Sequence, residues 1–152
     1  MDKLNLPCWN FRIKSKKNKR YIFDGLRKKF VTLTREEWVR QHFIRYLIEV
    51  KKYPVSLIAV ERQITLNQFK KRIDIVVFSS EGLPFIVVEC KAPSVKITQG
   101  VFDQIAIYNT KLNASFLVVT NGLKHYCYRV DAKNQNYSFL KDFPNYTQTY
   151  TK

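Results

Sequence analysis

The stretch from residue 72 to residue 91 constrains the fold more than any other part of the sequence. It contains two runs rich in Val, Ile and Phe, separated by Ser80-Glu81-Gly82. Such runs on either side of a turn sequence predict a β-hairpin. With the turn at Glu81-Gly82, the register places Asp74 opposite Glu89, with Cβ atoms roughly 5 Å apart. We therefore predict that two carboxylates meet at one end of this hairpin.

Side chains alternate between the two faces of a strand, so the register also decides which residues share a face. One face carries four ionisable side chains at one end, namely Arg72, Asp74, Glu89 and Lys91. That face continues with apolar residues, namely Val76, Phe78, Phe85 and Val87. The opposite face is apolar, with Ile73, Ile75, Val77, Ile86, Val88 and Cys90. Both faces are therefore predicted to be buried, and Arg72 is predicted to lie opposite Lys91.

Two interpretations of the ionisable cluster remain open at this point. Charges at the end of a buried hairpin are costly to desolvate unless they pair or bind a ligand. The first interpretation is a structural quartet of salt bridges. The second is a divalent-metal site, in which two carboxylates are hard oxygen ligands and an ammonium lies beside them. The register itself depends on the loop, since an odd number of loop residues would shift the pairing by one.

The charge of the chain indicates a polyanionic partner. Its 152 residues include 27 basic and 12 acidic side chains, a formal net charge of +15. Such an excess favours nucleic acid first and a membrane surface second. No run approaches the ~18 continuous apolar residues of a membrane span, and no signal-peptide pattern opens the chain, so we expect no membrane insertion and a cytoplasmic location. Three Cys and two His residues are too few and too dispersed to favour a zinc or iron–sulfur site.

The predicted elements follow the order α-β-β-β-α-β-β, which indicates an α/β fold with a mixed sheet flanked by helices. Thr34 is the predicted N-cap of the first helix, and Glu37 completes a capping box. Asn121-Gly122 between two apolar runs is typical of a tight hairpin turn. Outside the central hairpin, the predicted helices and strands span 34–50, 55–66, 96–112, 115–120 and 124–130.

Two further segments flank this core, which spans residues 31–131. Residues 1–30 are predicted to form an irregular basic arm with aromatic residues between the basic clusters. Those aromatic residues either pin a solvated arm to the core or stack on nucleic-acid bases. Residues 132–152 are predicted to form a loosely packed tail.

The end of the central hairpin has the residue types that phosphodiester hydrolysis needs. The reaction requires a water made nucleophilic near pH 7, relief of charge in the transition state and help for the leaving oxygen. Asp74 and Glu89 can hold Mg²⁺ or Mn²⁺, which supplies several of these at once. Lys91, two residues past the second carboxylate, can orient or deprotonate the water. The alternative is a non-catalytic nucleic-acid-binding module, which the charge would explain equally well.

Several motifs resemble a known nuclease family. Asp74, followed after fourteen residues by Glu89-Cys90-Lys91, resembles the PD-(D/E)xK motif, with Ile73-Asp74 in place of Pro-Asp. The sequence at residues 34–43, 71–78 and 88–93 looks like the N-terminal domain of type I restriction enzyme R subunits. Gln104-Ile-Ala-Ile-Tyr108 is similar to the QxxxY motif that accompanies this nuclease core. The resemblance covers roughly residues 30–130.

The resemblance implies a restriction-endonuclease-like fold, Mg²⁺ dependence and DNA cleavage. It also implies a metal-ligating glutamate from the first helix, for which Glu36 and Glu37 both fit. Glu37 is favoured, although capping is a complete structural explanation for it. Gln104 and Tyr108 would face the DNA or steady the site, unless they belong to a core stripe. The predicted nucleic-acid contacts are Lys70, Lys71, Arg72, Lys96, Gln104 and Tyr108.

The resemblance also implies partners. DNA comes first, followed by restriction–modification or helicase subunits, and a homodimer is left open. R subunits of this family carry a helicase motor after the nuclease domain, whereas this sequence contains no P-loop. We therefore expect either a stand-alone relative or a fragment.

Overall fold

Two helices cover opposite faces of a six-stranded sheet in the computed structural model, which describes residues 1–147. A 3₁₀ turn at Val55–Leu57 leads into the first strand of this sheet. In chain order the elements are β1 (Ile13–Lys16), β2 (Lys19–Asp24), β3 (Lys29–Thr32), α1 (Arg35–Glu49), β4 (Ile58–Leu66), β5 (Phe69–Phe78), β6 (Pro84–Cys90), α2 (Gln99–Leu112), β7 (Phe116–Thr120), β8 (His125–Asp131) and β9 (Asn136–Leu140).

The strand order of the large sheet follows the sequence from β4 to β9. β6 and β7 run parallel, and the other neighbours run antiparallel. A parallel pair needs a long crossover connection, which α2 provides. The order from α1 to β8 and the mixed sheet confirm the predicted α/β fold. No helix within residues 1–147 is long and apolar enough to cross a membrane.

α1 begins where the capping signal places it. The hydroxyl of Thr34 accepts a hydrogen bond from the N–H of Glu37 at 2.9 Å, which satisfies one of the free N–H groups of the first turn. Val39, Phe43 and Leu47 recur at the helical period and are fully buried. The predicted N-cap is confirmed, and the helix presents one apolar stripe to the sheet.

Each helix has its own layer of apolar contacts with the sheet. The α1-side core includes Val39, Phe43, Leu47, Ile75, Val77, Ile86, Val88, Cys90 and Val118. The α2-side core includes Ile73, Val76, Val87, Ile105, Tyr108, Leu117 and Val119. β5, β6 and β7 contribute to both layers, which confirms that both faces of the central hairpin are buried.

The central hairpin keeps the predicted register although its loop has an odd length. Val76 faces Val87, as expected, whereas Phe78 faces Pro84 across the loop of residues 79–83. A bulge between Val77 and Phe78 restores the pairing. Phe85 consequently packs against the α1-side core, so its predicted face was wrong.

Side-chain alternation breaks at Asp74. Ile73 and Ile75, predicted to share a face, lie in different cores. In the neighbouring strand β4, Glu61 lies between the residues that pair with these two and has a φ of 51°. A non-glycine residue with positive φ interrupts the regular pleat. The predicted face of Ile73 was therefore wrong, and the distortion lies beside a candidate ligand.

The N-terminal segment is folded rather than irregular. β1, β2 and β3 form an antiparallel sheet of three strands. Ile22 of β2 is fully buried, and so is Asp24 at the end of that strand. The predicted irregular arm was wrong, because strands of four to six residues that are rich in lysine show no clear apolar alternation in the sequence.

The C-terminal segment is also packed over its described part. β9 pairs with β8 and extends the sheet. Beyond β9, the Lys51 ammonium donates to Asp142 at 2.7 Å and the hydroxyl of Tyr53 donates to the carbonyl of Pro144 at 2.6 Å. The predicted loose tail was wrong for this part, and residues 148–152 of that prediction lie outside the described residues.

Some predicted boundaries shift by a few residues. Residues 55–57 form the 3₁₀ turn instead of starting a strand, and α2 begins at Gln99 rather than near residue 96. The β7–β8 turn centres on Gly122 and Leu123, because Thr120 pairs with His125. The Asn121 side chain accounts for the last shift, since its carboxamide oxygen accepts the N–H groups of the two residues after Gly122.

Candidate active site

Asp74 and Glu89 lie side by side where β5 and β6 separate. The β5–β6 ladder ends at Ile75 opposite Val88, and Asp74 and Glu89 are the next residue of each strand. The Oδ2 atom of Asp74 accepts the N–H of Cys90 at 2.7 Å. This bond fixes the carboxylate against the end of β6. The side chains of Asp74 and Glu89 are also within hydrogen-bonding reach of each other, as the predicted meeting of the two carboxylates requires.

The buried position of Glu89 disfavours its charged form. It is 9% exposed. Burial raises its pKa to about 9, assisted by a hydrogen bond to Asp74 and the negative charge of that residue, and opposed by the charge of Lys91. Two ionised carboxylates in contact repel each other, and a divalent cation between them would relieve that repulsion.

We expect the free energy of unfolding to fall with rising pH because of Glu89, and a comparison with Glu89→Gln separates this contribution from those of other groups. Because its folded pKa is raised from 4.5 to about 9, its stabilising contribution is complete below about pH 4.5 and is lost as the pH rises toward 9. In EDTA, the free energy of unfolding of the wild type should fall through this window relative to Glu89→Gln, at up to about 1.4 kcal/mol per pH unit. Urea titrations of both proteins at several pH values would measure it, and parallel profiles would contradict it.

Arg40 of α1 completes the surroundings of Asp74. Its Nη1 atom lies 3.2 Å from Asp74 Oδ1, and its Nη2 atom lies 2.7 Å from Glu37 Oε1 and 3.3 Å from Glu61 Oε1. Its side chain is only 8% exposed. Arg40 therefore connects helix α1 to the distorted part of β4 and β5.

The salt-bridge quartet, the first of the two interpretations, does not form. Within residues 1–147, no salt bridge joins Arg72 or Lys91 to Asp74 or Glu89. Arg72 extends into solvent and contacts Glu61 at 3.7 Å. The predicted pairing of Arg72 with Lys91 is also wrong, because β6 ends at Cys90 and the β5–β6 ladder ends at Ile75 opposite Val88.

Lys91 follows β6 directly and is held by its backbone. Its N–H donates to the carbonyl of Thr120 in β7 at 2.8 Å. Its ammonium is close enough to lower the pKa of both Glu89 and Glu36. Lys91 therefore belongs to the charged cluster although it lies beyond the end of the strand.

The two adjacent glutamates of α1 have different surroundings. Glu37 is buried and accepts from Arg40 at 2.7 Å, from Arg27 at 3.1 Å and from Gln41 at 2.9 Å. Burial raises the pKa of Glu37, but these donors outweigh it, so the net shift is downward. Glu36 is exposed, but partial desolvation and the charge of Asp74 raise its pKa. Arg40 pairs with both Glu37 and Asp74 and so separates these two carboxylates. Glu36 is therefore the glutamate of α1 whose pKa is raised by the charge of Asp74.

The predicted QxxxY pair lies on α2. The Gln104 side chain donates to the Tyr108 hydroxyl at 2.8 Å, which shows that the two share a helix face. Tyr108 is 8% exposed and belongs to the α2-side core. Neither side chain hydrogen-bonds to Asp74 or Glu89 in the described part of the chain. The predicted basic contacts Lys70, Lys71, Arg72 and Lys96 are exposed.

Sequence reasoning missed the basic residues that organise this site. Arg40 follows Glu37 by three residues, and this helical spacing could have indicated their contact. Arg27 reaches Glu37 at 3.1 Å and also pairs with Asp24, which is fully buried. No sequence signal could have found that contact, since it depends on the small sheet of β1, β2 and β3.

The carboxylate pair fits a magnesium-like ion as a partial ligand set. Over residues 1–147, no group of three or more His, Cys, Asp or Glu side chains is arranged to hold a metal ion. Mg²⁺ in proteins commonly uses one or two carboxylates and completes its shell with water and phosphate oxygens. Asp74 and Glu89 meet that requirement by number and residue type.

The family model described as type I restriction enzyme R protein N terminus matches residues 35–144. The chain belongs to this family. The match runs from the first residue of α1 to beyond β9. It therefore includes every residue of the candidate active site of this R-protein N-terminal domain except Arg27 and Asp24.

A solved structure has a similar fold. A fragment of a putative HsdR subunit of a type I restriction enzyme from Vibrio vulnificus YJ016 superimposes with a TM-score of 0.52 at 20% identity. The similar region covers 74% of this chain and 24% of that chain. This chain therefore spans about a quarter of that relative. A comparison with curated proteins gave no match.

Proposed function

We propose that this R-protein N-terminal domain hydrolyses phosphodiester bonds in DNA with Mg²⁺ or Mn²⁺. The observation that carries the proposal is the contact between the carboxyl groups of Asp74 and Glu89 at the end of the central hairpin, with the charge of Lys91 acting on Glu89. Family membership and a net charge of +15 support DNA as the substrate.

Each residue has a role that follows from its position. Asp74 and Glu89 would hold the cation, with Glu36, whose charge interacts with both, as a further carboxylate. When bound, the cation supplies positive charge to the phosphate and lowers the pKa of water. Lys91 would orient the attacking water or neutralise the phosphate, since its charge acts on both Glu36 and Glu89. Arg40 would hold the orientation of Asp74.

Contacts to the DNA backbone belong to the same proposal. Lys70, Lys71 and Arg72 are exposed on β5 directly before Asp74, where they could bind phosphates on either side of the scissile bond. Lys96 and Gln104 are exposed at α2. The same proposal includes a cytoplasmic location and restriction–modification or helicase subunits as further partners.

A plasmid assay tests the proposal. Supercoiled plasmid should be nicked in Mg²⁺ or Mn²⁺, and EDTA should abolish nicking, because the proposed reaction requires a divalent cation at the phosphate. Gel electrophoresis over time gives the rate. Retention of DNA binding without any metal-dependent nicking would defeat the nuclease proposal.

That result would favour the second candidate, a non-catalytic DNA-binding module. One observation supports this candidate specifically, namely that Arg40 already pairs with Asp74 Oδ1 at 3.2 Å. A cationic side chain on a carboxylate reduces the charge that it offers to a metal. Mn²⁺ titration by calorimetry separates the two, because only the nuclease requires the pair to bind the ion.

A further inference from the structure

Five aromatic rings form a continuous surface where α2 meets β8 and β9. The members of this aromatic surface are Phe102, Tyr126, Tyr128, Tyr137 and Phe139. Phe102 lies 4.3 Å from Tyr128 and 5.2 Å from Tyr137 between ring centroids. Phe139 lies 5.7 Å from Tyr128 and 6.3 Å from Tyr126. Each ring therefore contacts at least one other, and the surface is larger than any single side chain.

The strand register places this aromatic surface on the same face of the sheet as Glu89. Glu89 pairs with Val119, and Val119 pairs with Tyr126. Val119 lies in the α2-side core, and Tyr128 packs against that core. Neighbouring strands are about 4.8 Å apart, so Tyr126 lies roughly 10 Å from Glu89 across the sheet. The aromatic surface thus leads toward the carboxylates.

Much of the aromatic surface is open to solvent. Phe139 is 61% exposed and Tyr137 is 41% exposed. A groove of about 200 Å³ runs between the start of α2 and the strands, lined by Phe102, Val119, Tyr126 and Tyr128 among others. Exposed rings at this density are unusual for a surface that stays in water and are typical of a binding site.

The charges around the aromatic surface favour a polyanion. Four exposed lysines lie in or next to the ends of the elements that carry it, namely Lys96, Lys124, Lys133 and Lys141. Three acids lie near the same elements. Asp103 and Asp131 accept hydrogen bonds from Gln99 and Asn134, and Asp142 pairs with Lys51. Lysine ammonium groups bind phosphates, and open aromatic faces stack on bases. Bases in a duplex are already stacked, so the complementary ligand is a strand with unpaired bases.

We propose that the aromatic surface binds single-stranded DNA by stacking its unpaired bases and directs that strand toward Asp74 and Glu89. The inference rests on the proposed function for the role of the strand as substrate. The stacking itself requires only the rings and the lysines, so binding can be measured where no cleavage occurs.

The test compares three ligands in EDTA by fluorescence anisotropy: an oligo-dT strand, an abasic strand of the same length and a duplex. Phe139→Ala combined with Tyr137→Ala should weaken oligo-dT binding about 5-fold or more, since one stacked base contributes at least about that factor. The abasic strand should bind both proteins alike, because it retains phosphates and lacks bases. Both rings are exposed, so circular dichroism should stay unchanged.

A matched control removes an exposed ring elsewhere. Phe69 is 67% exposed at the start of β5, and Phe69→Ala should leave oligo-dT binding unchanged. An equal loss for the abasic strand, or no loss for oligo-dT, would overturn the inference, and the second result would leave the surface to a protein partner. Ring-dependent oligo-dT binding by a chain that never cleaves DNA would support this inference while the nuclease proposal fails.

Discussion

Asp74→Ala and Lys91→Ala are expected to lower the rate of metal-dependent plasmid nicking by about 10²–10⁴-fold. Loss of Asp74 removes one of the two adjacent carboxylates and leaves Arg40 without its partner on β5. Loss of Lys91 removes the ammonium that lies beside Glu36 and Glu89. Time courses on agarose gels, with protein in excess over plasmid, measure the single-turnover rate.

The matched control for these variants is Lys111→Ala. Lys111 is exposed in the last turn of α2, so its removal changes the net charge as Lys91→Ala does without touching the site. Nicking by Lys111→Ala should equal that of the wild type. Circular dichroism and DNA affinity should be close to wild type for all three variants. Unchanged nicking by both Asp74→Ala and Lys91→Ala would remove the chemical basis of the nuclease proposal.

Arg40→Met is expected to lower the free energy of unfolding by about 3–5 kcal/mol. The guanidinium contacts Glu37, Glu61 and Asp74, and both Arg40 and Glu37 are more than nine-tenths buried. Removing the cation leaves Glu37 with Arg27 and Gln41 as its remaining donors. Buried carboxylates that lose a charged partner are strongly destabilising. Urea denaturation followed by fluorescence measures the effect.

Arg45→Met provides the comparison on the same helix. Arg45 reaches Glu49 at 3.5 Å, and both side chains are at least 40% exposed. Exposed pairs of this kind contribute up to about 1 kcal/mol, so Arg45→Met should change stability little. A loss from Arg40→Met no larger than that from Arg45→Met would show that the network around Arg40 does not hold the fold together.

Local signals predicted the elements that position the site. Thr34 caps α1 because a hydroxyl at that position meets the N–H of Glu37, a contact within one turn. Period-two alternation and a turn sequence placed Asp74 opposite Glu89. Both signals depend on residues close in sequence or directly paired. The core α/β fold followed from them in the predicted order.

Long-range contacts account for what could not be predicted. The small sheet of β1, β2 and β3 is tied to α1 through Arg27 and Glu37, ten residues apart in sequence. The choice between Glu36 and Glu37 depends on that tie, since Arg27 and Arg40 together engage Glu37. The left-handed φ of Glu61 likewise has no signature in a strand that lacks glycine there. Each of these features requires the assembled tertiary structure.

Because of the bulge at Val77 and Phe78, the length of the turn that follows them affects the pairing of the whole hairpin. The loop at residues 79–83 has one residue too many for the ladder, and the bulge absorbs that residue before the strands reach the acids. Adding or deleting a single residue there, without a compensating bulge, would rotate Glu89 into the α1-side layer and leave Asp74 facing an aliphatic neighbour. The number of residues in a surface turn therefore governs whether the two acids can lie side by side.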